Sequence, residues 1–158
     1  MTIVLIWLHL LAAISWIGGM IFLSLVLAPL VRSRKAAPEF MALFRSAALR
    51  FRLVVWSAIA VLLTTGPVLL LNRGLSLVAV TGWPAILIVK LSLVGLLLLL
   101  TVLHDLLLGP RVSQISVTPA AARTAWEQIL VRTARWVPRL SLLVALAVMI
   151  AAVVLARS

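Results

Sequence analysis

The chain contains no cysteine, and only three of its 158 residues are acidic. Without thiols there is no disulfide framework, no thiolate metal site and no thiol redox chemistry, so the sequence is silent on redox compartment. A basic leader segment and a small-residue cleavage site are also missing. MTIVLIWLHLLAAISWIGGM opens directly into an apolar run that continues to Val31, which reads as a retained membrane span. Alternating barrel-type strands are absent, and no internal repeat is evident. Although the net charge is +11, there is neither a fold signal nor an aromatic-interleaved basic surface, and a nucleic-acid role is not expected.

What the chain does have is apolar length. A composition 65% hydrophobic and 11% charged, with a mean hydropathy of +1.30, describes a polytopic membrane protein. Four stretches, about 3–31, 49–72, 83–109 and 137–156, are each long enough to cross roughly 30 Å of hydrocarbon. Lipid leaves no backbone group unpaired, so the expected fold is an all-α integral membrane protein. It is a single four-transmembrane-helix bundle over residues 1–158 with a short cytoplasmic amphipathic helix. That short helix is predicted to open at Thr118-Pro119, with an apolar stripe of Trp126, Ile129, Leu130, Thr133 and Val137 and an i, i+4 pair of Arg123 and Glu127. It reads as a helix lying on the membrane or as a surface for docking a partner. Residues 36–48 read as a cytoplasmic extension of span two.

Basic residues sort the connections. Arg32, Arg34, Lys35, Arg45, Arg50 and Arg52 lie in or beside the first, and Arg111, Arg123, Arg132, Arg135 and Arg139 in or beside the third, while the second offers only Arg73. The basic connections are expected to be cytoplasmic, which places both termini outside a cell (inner) membrane and explains the charge by orientation and attraction to anionic lipid.

Ionisable side chains at membrane depth are costly and stand as functional hypotheses by default. The stretch from Trp83 to Arg111 carries three before its final arginine: Lys90, His104 and Asp105. Lys90, Val94, Leu97, Thr101 and His104 share one helical face. Lys90 reads either as a snorkelling cation or as a functional charge, and His104-Asp105 as a helix end or an inner site. In span one, His9, Ala13, Trp16 and Met20 form a stripe beside Ala12, Ser15 and Gly19, and the Gly18-Gly19 pair reads as a packing notch or as an approach for a flat ligand. Pro29 is expected to close span one, Asn72-Arg73-Gly74 to end span two, and Thr64-Thr65-Gly66-Pro67 to loosen its outer half, with the hydroxyls satisfying freed carbonyls. Counting about 1.5 Å per residue, His9, Lys90, Thr64, Thr65 and Met149 all lie roughly 10 Å inside the outer boundary, and His104 about 30 Å from it. His9 and His104 are therefore too far apart to share a metal.

These residues carry a resemblance. His9, Trp16, Gly19, Phe22 and Pro29 resemble the first span of the copper-resistance protein D (CopD) family and of the related HemJ-type protoporphyrinogen oxidases. GWPAILIVKLSLV, with Lys90, looks like the segment in which both groups carry a lysine, and HDLLLGPR looks like the tail of many small CopD-like proteins. The resemblance covers spans one to three. It implies a four-helix membrane bundle with His9 and Lys90 at key positions. It further implies either copper handling or heme binding with porphyrinogen oxidation.

Chemistry favours the porphyrin. A copper path wants soft ligand clusters, and the outer layer offers His9 and Met149 beside a repelling Lys90, with His104 as a separate inner ligand. For heme b, His9 serves as axial ligand, Lys90 as a propionate partner or second ligand, and Trp16 and Gly19 as neighbours of the macrocycle. Copper transport or tolerance and an accessory subunit of a larger membrane complex are the alternatives, and a homo-oligomer would bring two copies of His9 to one depth.

Overall fold

The computed structural model describes residues 2–33, 38–76, 78, 82–115 and 123–157. Arg34, Lys35, Thr81 and the Thr118-Pro119 helix start lie outside the described residues. Among those described, every regular element is helical. Four helical stretches, Thr2–Leu30, Ala42–Asn72, Ala85–Val112 and Ala125–Arg157, are long and apolar enough to cross a membrane, as expected for an all-α multi-pass membrane protein. Large apolar side chains line their outsides, among them Ile3, Leu53, Leu143 and Ile150. In water each would forgo roughly 1.5–3 kcal/mol of burial, a loss that lipid removes.

The chain divides into two units, residues 1–84 and 85–158. In the first, α1 (Thr2–Ile21) passes through a π-helical segment, Phe22–Leu27, into α2 (Ala28–Ser33), and α3 (Pro38–Asn72) returns against α1. Pro38 opens α3 with Glu39 in its first turn, where a missing N–H costs nothing and a negative charge suits the helix dipole. Residues 38–48 are thus a continuous extension of span two. Gly74, at φ +76°, ends α3. The N–H of Leu75 bonds the Leu70 carbonyl and that of Gly74 the Leu71 carbonyl, closing the last turn as a Schellman motif.

In the second unit, α4 (Ala85–Val102) passes through a π segment, Leu103–Leu108, into α5 (Gly109–Ile115), and α6 (Ala125–Arg157) packs on α4. Small buried residues, Ala12 and Ala58 in the first unit and Ala145 and Ala151 in the second, let helix backbones come close.

Four details depart from the sequence reading. Pro29 and Pro110 do not stop the helix: each follows a π segment and the helix continues to Ser33 and Ile115, although the first apolar span does end at Leu30, next to Pro29. The wider turn is closed by N–H bonds reaching five residues back, from Ala28 to Leu23 and from Gly109 to His104, and helical order is kept through a residue that lacks its own donor. Second, the amphipathic stretch is not a separate helix, since from Ala125 it is continuous with the fourth span through Pro138. Its start is a capping box: the Thr124 hydroxyl accepts from the Glu127 N–H at 3.3 Å, while the Glu127 carboxylate accepts from the Thr124 N–H at 2.8 Å. Arg123 precedes the helix, so the expected pair with Glu127 is not a helical i, i+4 pair, although the Arg123 charge still acts on Glu127 beside the cap. Third, the hydroxyls of Thr64 and Thr65 bond the carbonyls of Ala60 and Val61, one turn back, and not that of Leu63, which Pro67 leaves without its usual donor.

Fourth, the two units repeat one plan. Matching the π segments residue for residue sets Ala28-Pro29 on Gly109-Pro110, Trp16 on Leu97 and His9 on Lys90. Trp16 and Leu97 are both buried. Side-chain identity between the halves is too low to show this in sequence; it is the π segment ahead of each proline that marks the register.

Candidate functional site

His9 projects from the second turn of α1 and is half-buried. Its Nδ1 lies 2.7 Å from Oγ1 of Thr65 on α3, and Thr65 is buried. The Thr65 hydroxyl has a single proton, and at 2.6 Å from the Val61 carbonyl it donates there. It therefore accepts from His9, which fixes the proton on Nδ1 and leaves the ring's lone pair on Nε2. Gly66 completes the seat: a Cβ placed there would lie 3.7 Å from the His9 ring carbon Cε1, at ordinary contact distance. Of the residues expected at one depth, His9 and Thr65 are thus brought together within the first unit, whereas the neighbouring Thr64 is exposed.

Trp16, two turns further along the same stripe, is 4% exposed, and its indole Nε1 has no hydrogen-bond partner. Gly18 and Gly19 separate in role. A Cβ at Gly18 would meet open space, while one at Gly19 would overlap the ring of Phe51 on α3. The concavity over Gly19 is filled by a protein side chain, which is the packing reading of the pair.

Lys90 and Met149 belong to the second unit, Lys90 half-buried on α4 and Met149 exposed on α6. His104 and Asp105 fall within the second π segment, where Nδ1 of His104 lies 3.0 Å from a carboxylate oxygen of Asp105. Consecutive residues do not face each other on an α-helix. The π segment supplies the different local geometry, and a carboxylate on Nδ1 orients the ring much as Thr65 orients His9. Among the described residues no group of three or more His, Cys, Asp or Glu side chains could hold a metal ion.

Gly66 and Phe51 were missed by sequence reasoning. Antiparallel counting along the two spans brings the 64–66 stretch to His9 and so carried a signal for Gly66; no periodicity singles out Phe51. No protein-family model, curated protein or solved structure matches this chain.

Proposed function

We propose that this protein binds heme b or a related porphyrin in the outer half of its first and third spans through His9 and Lys90, in a cell membrane with both termini outside. The observation that carries the reading is the His9–Thr65 hydrogen bond, 2.7 Å long and backed by the Thr65–Val61 bond. A ligating imidazole is commonly held by a hydrogen bond on its other nitrogen, which fixes ring orientation and tautomer, and His9 is held in this way with its lone pair on Nε2. Lys90 stands at the position of His9 in the repeat, half-buried and the one charged residue of α4. An ammonium at that depth matches a porphyrin carboxylate. A bound heme would supply one-electron redox chemistry. The chain's own part is to hold the ring nitrogen, fix its proton on Nδ1 and supply the Lys90 cation. Of the two implications of the resemblance, the HemJ side points the same way and extends to porphyrinogen oxidation, while the CopD side points to copper.

Copper is distinguished by one substitution. Lys90→Arg keeps a charge able to grip a carboxylate and should retain hemin binding, whereas Lys90→Met leaves that carboxylate unpaired and should weaken it. A copper site would respond with the opposite sign, because Lys90→Met removes a repelling charge and adds a soft thioether. Titration of purified Lys90→Met with hemin and with Cu(I) reads both. Tighter copper binding with unchanged hemin affinity would overturn the porphyrin reading.

A further inference from the structure

Trp16 is the one described residue whose buried side-chain polar atom has no hydrogen-bond partner. A buried indole N–H ordinarily finds an acceptor, since an unmet donor in apolar surroundings forfeits its whole desolvation cost. Packing does not call for that N–H. At the matching position of the second unit stands Leu97, 1% exposed and wholly apolar.

Gly19, one turn along α1 from Trp16, forms a floor on which the ring of Phe51 is seated. Residues three apart are neighbours on a helix surface, so Trp16 and the Gly19 floor that seats a flat six-membered ring stem from adjacent turns of α1. The buried residues Ala12 and Ile17 on α1 and Val55 and Ala58 on α3 are apolar. Such a setting disfavours an ionised acceptor and favours a neutral oxygen.

We propose that this slot binds the head group of a lipophilic quinone, its planar ring replacing Phe51 on the Gly19 floor and one ring carbonyl accepting from the Trp16 indole N–H. In this reading Phe51 is a plug that leaves the Gly19 floor as the quinone ring enters. A phospholipid ester carbonyl offers the same acceptor atom but no planar ring for the glycine floor. The proposal takes Trp16 and Gly19, which the heme reading set beside the macrocycle, and makes no use of His9.

The test uses the full chain in phospholipid-free detergent, titrated with a short-chain benzoquinone carrying a 13C-labelled carbonyl. Affinity and the isotope-edited infrared stretch of the bound carbonyl are both read. Wild type should bind saturably and lower the stretch relative to free quinone. Trp16→Phe should weaken binding roughly tenfold and return the stretch toward its free position. Phe51→Leu, a milder change than Phe51→Ala, should tighten binding by opening the slot. His9→Ala should leave both readouts unchanged, so that failure of the heme reading and failure of this one are told apart. Unaltered affinity and frequency in Trp16→Phe, or no saturable binding to wild type, would overturn the proposal. So would a Trp16-dependent shift of lipid ester carbonyls in quinone-free nanodiscs, which would assign the donor to lipid.

Discussion

Replacing Thr65 by valine keeps its shape and removes one hydroxyl, which makes it the sharpest probe of how His9 is held. Two bonds are lost, the 2.7 Å contact to His9 Nδ1 and the 2.6 Å contact to the Val61 carbonyl. The second is expendable, because in a continuous helix the Val61 carbonyl still receives the backbone N–H of residue 65. The first is not: an imidazole N–H left unmet in a half-buried site costs about 1–3 kcal/mol. Some of that loss falls on helix packing, and the rest on ligand binding, because Nδ1 no longer defines the tautomer. Substitutions in such supporting hydrogen bonds typically weaken ligand affinity by about 10–100-fold. Hemin titration of detergent-purified Thr65→Val, followed by Soret absorbance, should show a loss in that range, and Thr65→Ser, which restores the hydroxyl, should recover most of it. Unchanged hemin affinity in Thr65→Val alongside its loss in His9→Ala would refute the inference that this bond prepares the histidine.

The glycine pair gives a contrast within two adjacent residues. Gly18→Ala adds a methyl to open space and should stabilise α1 by about 0.5–1 kcal/mol in thermal unfolding. Gly19→Ala meets the Phe51 ring and should destabilise by about 1–3 kcal/mol, a cost that a second change, Phe51→Leu, relieves; additive effects of the two would show that they do not touch. Orientation is tested by labelling single cysteines from outside intact cells: Asn72→Cys should react and Arg123→Cys should not, and the reverse pattern would invert the assignment of inner and outer halves.

Apolar length and the cost of unpaired backbone in lipid made the four helices legible in the sequence. The pairing of His9 with the Thr65 region was legible too, because antiparallel spans of known rise per residue bring equal depths together. The continuation of the helix past Pro29 and Pro110 was not. Proline normally marks a boundary, and what offsets it here is a π segment just ahead, for which FLSLVL and LHDLLL carry no local propensity signal. The same segments hid the repeat of the two units, since His9 and Lys90, or Trp16 and Leu97, share a place in the fold and no chemistry. Phe51 escaped for a different reason: glycine in an apolar run shows that something comes close without showing what.

The most direct test of the account is the visible spectrum of the purified protein, reconstituted with hemin, in wild type, His9→Ala and His104→Ala. Only His9 has its proton placed by a buried hydroxyl, so wild type and His104→Ala should show the Soret band of a histidine-ligated heme and His9→Ala should lose it. A band that survives in His9→Ala and disappears in His104→Ala would contradict the account and move the site to the His104–Asp105 pair in the second π segment.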